Sequence, residues 1–148
     1  MKHLNFVMAF MIMALAVFIT PVLANDTGTG NADLVITIAG FENSNGVAKV
    51  AIVNSKKNYS EEKPFKGYNF KIANNRVLET LSLPYGEYAI KVFHDENSNG
   101  ELDKGILGIP VEAYGFSNDA RGTIGPPEYE KAAFKLDSPK KEITITIK

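Results

Sequence analysis

One stretch of this sequence carries oxygen-bearing side chains at alternate positions, which is the spacing that a calcium loop needs. It runs from residue 95 to residue 103 with the pattern D-x-N-x-N-G-x-L-D. In such a loop the first, third and fifth positions give side-chain oxygens, the seventh gives a backbone carbonyl, and the ninth contributes directly or through water. The sixth position is a glycine, because the chain turns sharply there. The pattern therefore predicts a turn at Gly100 and calcium ligands from Asp95, Asn97, Asn99, the carbonyl of Glu101, and Asp103.

The pattern departs from the template at its twelfth position, where a bidentate glutamate is expected and Ile106 stands instead. Glu112 is the first candidate to replace that ligand, provided that the chain folds back. Asn118 and Asp119 are the alternatives. All of these donors are hard oxygens, which favours calcium as the ion. With few carboxylates we expect weak affinity, in the ~10⁻⁴–10⁻³ M range of extracellular modules.

Two other interpretations of the same residues stay open. Asn, Asp and Gly are also what an ordinary polar turn uses. The carboxylates of Glu112 and of Asp95 or Asp103 could instead act as a general acid and base, as in glycoside hydrolysis, which would make the protein a small exported hydrolase. No phosphate loop, zinc-binding HExxH motif or complete nucleophile elbow accompanies them. We therefore predict a protein that is not an enzyme.

The N-terminus predicts export. Lys2 precedes an almost wholly apolar run over residues 4–22, and the small residue Ala24 follows. We expect residues 1–24 to be a signal peptide and residues 25–32 a flexible linker, with no stable membrane anchor after cleavage. The alternative is an uncleaved anchor, because the run approaches the ~20 residues that span a bilayer. Cleavage would place the mature protein in the periplasm or outside the cell.

Composition excludes several classes of partner. The chain has 148 residues and a net charge of −1, and losing Lys2 with the signal peptide makes the charge more negative. Nucleic-acid binding depends on clustered Lys and Arg, so we expect none. There is no cysteine for a disulfide or a lipid anchor. We expect one domain over residues 33–148, acting as a monomer.

Alternating apolar residues predict that this domain is built of strands. An all-β fold follows, a seven-stranded antiparallel immunoglobulin-like or transthyretin-like sandwich with one long Gly/Pro-rich loop; a closed barrel is the alternative. Turn residues predict hairpins over residues 33–53 and 68–83. The predicted strands are 34–39, 47–53, 68–72, 77–83, 88–94, 132–136 and 143–147. The predicted core consists of Ile36, Ile38, Val50, Ile52, Phe70, Tyr88, Ile90, Val92, Ile143 and Ile145.

The long loop covers residues 104–130, and a loop of this length is usually functional or tied down. Its aromatic residues Tyr114, Phe116 and Tyr129 either anchor it to the sandwich or present a binding face. A glycan, a peptide or another envelope component is the partner that such a face would take. His94 shares the inward parity of the strand before it, so we expect a partly buried imidazole.

Several separated motifs resemble one bacterial family of exported proteins, catalogued as domain of unknown function 2141. They are LPYGEY at 83–88, HDENSNGELD at 94–103, GIPVEAYGFSN at 108–118 and GPP at 125–127. The resemblance extends over about residues 34–147. It implies an exported single domain, a β-sandwich, and no established activity, and it assigns no catalytic residue. The 83–88 motif is also similar to transthyretin-like and carboxypeptidase-regulatory-like sandwiches, which supports the fold alone.

Overall fold

The computed structural model describes residues 30–148, and these residues form two β-sheets around one main core. The predicted signal peptide and most of the predicted linker lie outside the described residues; the first strand begins just before the predicted domain boundary. The strands are β1 (Asn31–Ala39), β2 (Val47–Val53), β3 (Lys66–Lys71), β4 (Val77–Pro84), β5 (Gly86–Asp95), β6 (Tyr114–Phe116), β7 (Phe134–Leu136) and β8 (Lys140–Thr146). The helices are α1 (Lys56–Ser60), α2 (Tyr129–Ala132) and two 3-10 turns at Ile106–Gly108 and Ser117–Asp119.

The first sheet has the order β4-β1-β8, and the second has the order β3-β2-β5-β6 with β7 also paired to β5. The predicted all-β sandwich is therefore confirmed, with eight strands in place of seven. The additional strand, β6, lies inside the long loop, where it pairs with the free edge of β5. The arrangement is not purely antiparallel, because β8 runs parallel to β1.

Both predicted hairpins are wrong. β1 pairs with β4 and β8, whereas β2 pairs with β3 and β5, so residues 33–53 cross from one sheet to the other. The same is true of residues 68–83, because β3 and β4 belong to different sheets. The turns themselves form as predicted, with positive φ at Gly46 (61°), Asn74 (52°) and Asn75 (56°). Turn chemistry reverses the chain but does not decide which sheet the next strand joins.

The main core lies between the two sheets and follows the predicted alternation. Eight of the ten predicted core residues are buried, and Phe70 and Ile143 pack against the same cluster while remaining partly exposed. The inward face of β1 in the first sheet packs against the inward faces of β2 and β5 in the second sheet. Period-2 patterning therefore identifies the buried face correctly.

A second cluster covers the other face of the second sheet, where α1, α2 and the long loop pack. Tyr59, Phe116 and Tyr129 are buried there, and Tyr114 packs at its edge. Burial raises the pKa of Tyr59 and of Tyr129 to about 12. The aromatic residues thus anchor the long loop, which is the first of the two roles predicted for them.

The central strand β5 carries the candidate loop. It has neighbours on both sides, β2 on one and β6 and β7 on the other, so its C-terminal end is held firmly. Within residues 30–148, none of the helices has the length and apolar character that crossing a membrane requires.

Candidate metal centre

The loop begins at Asp95, the last residue of β5, and the side chain of this residue is buried. Asp95 is 2% exposed, and its backbone pairs with Val47 of β2. Its carboxylate faces the loop, because Oδ2 accepts a hydrogen bond from Gly100 N at 3.0 Å. The other oxygen, Oδ1, has no hydrogen-bond partner, and it is the one buried side-chain polar atom in residues 30–148 of which this is true. A buried carboxylate oxygen without a partner is costly and rare.

The turn between β1 and β2 packs against the end of β5, at His94 and Asp95. His94 is 3% exposed; its Nε2 lies 2.8 Å from Asn45 O, and its ring meets Phe41 edge-on at 5.2 Å. Gly46 approaches so closely that a Cβ there would lie 2.0 Å from Asp95 O. The sequence predicted a partly buried imidazole, and the structure buries His94 more completely than that. The role of Asn45 and Gly46 was not visible in the sequence, where they indicated only a turn.

Inside the loop, amide side chains and one carboxylate are in direct contact. Asn97 Oδ1 accepts from Asn99 N at 2.9 Å, and Asn99 Oδ1 accepts from Glu101 N at 2.8 Å. The two amide Nδ2 groups donate to the carboxylate of Asp103, at 2.6 Å from Asn97 and 2.8 Å from Asn99. Gly100 has φ +88°, in the region that favours glycine. The structure therefore brings together the predicted side-chain ligands of the third, fifth and ninth positions.

Glu112 folds back onto the loop, as the sequence analysis required of a replacement ligand. Its Oε1 accepts from Glu96 N at 3.1 Å, and its Oε2 accepts from Asp103 N at 3.0 Å. One side chain thus holds both ends of the loop. The carboxylates do not converge on a single point, since no group of three or more His, Cys, Asp or Glu side chains within residues 30–148 is arranged to hold a metal ion. Any ion here would need amide and backbone oxygens as well.

The two alternative replacements lie elsewhere. Asn118 donates to the carbonyls of Lys131 and Ala133, and Asp119 Oδ1 accepts from Thr146 N. Ile106, at the twelfth position of the template, is 91% exposed. Of the candidates considered for the missing glutamate, Glu112 alone contacts the loop.

Ser117 has a structural role that the sequence did not reveal. Its side chain is fully buried; Oγ donates to Ala132 O at 2.5 Å and accepts from Ile90 N at 2.9 Å. It therefore joins the long loop to the central strand. A hydroxyl engaged on both sides in this way is not an available nucleophile.

An open groove of about 1010 Å³ lies on the outer face of the second sheet, and loop residues 100–104 form part of its wall. Phe93 and Tyr114 line it together with two lysines of the sheet, Lys49 and Lys91, and with Lys104 of the loop wall. One of these, Lys91, donates to Tyr59 O at 2.9 Å with its Nζ 4.1 Å from the centre of the Tyr59 ring, and burial lowers its pKa. The groove is therefore adjacent to the loop. Of the two sheet lysines that line it, Lys91 already interacts with Tyr59.

A family model described as an uncharacterized protein conserved in bacteria (DUF2141) matches residues 36–144. The chain belongs to this family. Neither a curated protein nor a solved structure matches it significantly. The DUF2141 match extends from β1 to β8 and includes the whole candidate loop, so the resemblance noted in the sequence is confirmed. The family description names no activity.

Proposed function

We propose that this DUF2141 protein is an exported, non-catalytic β-sandwich that binds Ca²⁺ in the loop of residues 95–103. One observation carries the proposal: the carboxylate of Asp95 is buried, faces the loop, and leaves Oδ1 without a partner. Buried charges are normally paired or coordinate a metal. A cation bound by Oδ1 would remove the cost of that unpaired oxygen.

The remaining donors suit the same ion. Asn97 and Asn99 each use one lone pair of the amide oxygen for a backbone N–H, and each oxygen retains a second. The carbonyl of Glu101 and the carboxylate of Asp103 complete the predicted set. Two carboxylates balance a divalent charge, and oxygen-only ligands favour calcium. Glu112 would stabilise the bound loop through its two backbone contacts, and it remains a candidate ligand.

The apolar segment at residues 4–22 supports export to the periplasm or the exterior. No observation on residues 30–148 favours the hydrolase hypothesis: Asp95 is buried, and both oxygens of Glu112 accept backbone hydrogen bonds.

We infer that the protein is a monomeric accessory module that contacts a glycan, a peptide or another envelope component. The groove beside the loop and the segment that follows the loop are the surfaces available for this.

Thermal melting with calcium, magnesium or a chelator tests the calcium proposal. An ion that binds only the folded loop stabilises it by mass action, so about 100-fold excess over Kd adds about 2.7 kcal/mol. For a domain of this size we expect the midpoint to rise by on the order of 10 °C. Magnesium should have little effect, because it requires octahedral geometry and retains its waters.

The Asp95→Ala variant should lose most of the calcium-dependent rise. Asp137→Ala is the matched control, because Asp137 is exposed and lies in the turn before β8, and it should retain the full rise. If calcium leaves the wild-type midpoint unchanged, or raises the midpoint of Asp95→Ala equally, the stretch is only a polar turn and the proposal is wrong.

A further inference from the structure

A straight row of four side chains crosses the floor of the groove on the outer face of the second sheet. Lys49 pairs in register with Asn69 of β3 on one side and with Phe93 of β5 on the other, and Phe93 pairs with Tyr114 of β6. All four line the groove. Directly opposed residues of neighbouring strands share a face, and the strands lie about 4.8 Å apart, so the row is about 14 Å long. This is the length of a short oligosaccharide or peptide.

The charged side chains of the floor are both lysines, Lys49 of β2 and Lys91 of β5. The acids that line the groove lie on its walls: Glu62 precedes β3, and Glu101 and Asp103 belong to the loop beside the groove. The chain as a whole has a net charge of −1, so a floor whose charges are all positive is a local exception. Such a floor favours a ligand that carries negative charge on the side facing the sheet.

The acids on the walls have neighbours that offset them. The carboxylate of Asp103 accepts hydrogen bonds from two asparagine amides. Burial lowers the pKa of Lys91, and the charge of Glu62 acts on that pKa in the opposite direction, so these two charges lie close together. Lys104 lines the same wall as Glu101. Lys49 therefore remains as the positive charge of the floor that no acid offsets.

The ammonium of Lys49 is available to a ligand. The residue is partly buried, and its Nζ lies against the loop, where a Cβ on Gly100 would be 3.3 Å from it. Within the described part of the chain, none of the four ion pairs involves Lys49. Lys91, by contrast, already donates to Tyr59 O. A partly buried ammonium without a charged partner gains most from a carboxylate, because charge-assisted hydrogen bonds are the strong ones.

We propose that this groove binds an acidic glycan built of uronic acids, with a carboxylate of the glycan on the Lys49 ammonium and its sugar rings on Phe93 and Tyr114. The proposal names the partner of the accessory module and in that respect rests on the proposed function. It does not depend on calcium.

The two aromatic side chains supply the surface on which sugar rings pack. Phe93 belongs to neither core cluster, and Tyr114 packs only at the edge of the second one. Both are partly exposed. The face of an aromatic ring carries negative charge density, which attracts the polarised C–H groups of a pyranose. Asn69 is exposed beside Lys49, and its amide can both donate to and accept from sugar hydroxyls.

The row lies on the face of the sheet, and this position favours a glycan over a peptide. A peptide that adds to a sheet bonds the free backbone groups of an edge strand. Here the row crosses four strands whose backbones already pair with one another, so a ligand on the floor meets side chains. Aromatic faces, an amide and an ammonium match the ring faces, hydroxyls and carboxylates of an acidic sugar.

The cation of the floor favours a carboxylate over a phosphate or sulfate ester. Among the described residues that line the groove there is no arginine, the side chain whose planar fork suits phosphate best. A single free ammonium matches a singly charged group. Uronic acids carry one such carboxylate on each sugar ring.

Calorimetric titration with defined oligosaccharides tests the proposal. The probes are the tetramers of galacturonate, mannuronate and glucuronate, and each is compared with its methyl ester, which has the same rings without the charge. The exported protein is titrated in EDTA at low salt, so that calcium does not bridge the sugars. We expect saturable binding of at least one acid and at least about tenfold weaker binding of its ester.

Lys49→Met removes the ammonium and retains an aliphatic stem, so it should weaken binding of the acid at least about tenfold and leave binding of the ester unchanged. Lys135→Met is the matched control: Lys135 is exposed on β7, outside the groove, and the variant should bind like wild type. Phe93→Val keeps a residue that favours strands and removes the ring, so it should weaken binding of acid and ester alike, by about fivefold.

The groove and the calcium loop fail by different results. Binding of none of the three acids, equal binding of an acid and its ester, or equal binding by wild type and Lys49→Met would overturn the glycan proposal. A peptide or another envelope component would then be the partner of the module. Calcium binding is titrated separately without sugar, and its absence would contradict the proposed calcium site while leaving the groove unaffected.

Discussion

Two asparagine-rich turns lie near each other at one end of the sandwich, and they behave differently. The Asn74-Asn75 turn is exposed, and segment 42–46 satisfies its hydrogen bonds: Asn75 N donates to Ser44 Oγ, and Asn75 Nδ2 donates to Glu42 O. In the loop of residues 95–103, the asparagine side chains instead meet a carboxylate, and a second carboxylate is buried with one oxygen unpaired. Both turns contain non-glycine residues with positive φ.

The burial of Asp95 distinguishes the candidate metal loop from the Asn74-Asn75 turn. Asparagine content and positive φ are common to both and therefore carry no information about metal binding. The burial of Asp95 at the end of a central strand is what the Asn74-Asn75 turn lacks. The segment 42–46 contacts both regions, because Ser44 bonds Asn75 while Gly46 packs on Asp95.

The largest effect is expected at Gly46, where the packing on Asp95 can be broken directly. Gly46→Ala places a Cβ 2.0 Å from Asp95 O at φ +61°, so the backbone must move. We expect a loss of about 3 kcal/mol or more in the free energy of unfolding, measured by urea denaturation. Gly67→Ala is the control, since a Cβ there would meet no atom within 4 Å. Equal stability of the two variants would show that segment 42–46 does not pack on Asp95.

A smaller effect is expected at Glu112, which holds the loop closed. Glu112→Gln retains one acceptor oxygen and presents an amide N–H₂ to the other backbone N–H. We expect a loss of about 1.5 kcal/mol and weaker calcium binding. Glu79→Gln, on the exposed face of β4, makes the same change of charge outside the loop and should alter neither quantity. Calorimetric titration with calcium measures the affinity. An unchanged Kd in Glu112→Gln would show that Glu112 does not contribute to calcium binding.

The smallest effect is expected in the Asn74-Asn75 turn. Asn75→Ala removes two side-chain hydrogen bonds and places alanine at φ 56°, so we expect a loss of about 1 kcal/mol. The increment that calcium adds to the melting midpoint should be the same as in wild type. A smaller increment in Asn75→Ala would mean that the two turns are coupled and that the contrast between them is not valid.

The sequence predicted the strands and the core because alternation fixes which side chains face inward, as Ile36 and Ile90 illustrate. It failed on the hairpins, because a turn such as Asn45-Gly46 leads to a partner strand in either sheet with equal ease. It also missed β6, since three residues after a glycine-rich stretch show no alternation, and the edge of β5 alone makes them a strand.

The proximity of Asn97, Asn99 and Asp103 was predictable from spacing, whereas the return of Glu112 was only the condition on which it was a candidate. The burial of Asp95 was not predictable, because it depends on Val47 and Gly46, which are distant in sequence. The exposed apolar side chains that follow the loop, from Ile106 to Val111, were missed for the opposite reason. Residues such as Ile106 and Leu107 suggest burial in a sequence, and only the tertiary structure shows that they are exposed.

A crystal structure grown with calcium, with the ion identified by its anomalous scattering, tests the central claim most directly. The account predicts one calcium ion inside the loop, with Asp95 Oδ1 among its ligands at about 2.3–2.6 Å. The carboxylate of Asp103 and oxygens from Asn97 and Asn99 should complete the coordination, directly or through water. A loop that holds no ion at high calcium concentration, with Oδ1 bonded only to water or to the protein, would contradict it.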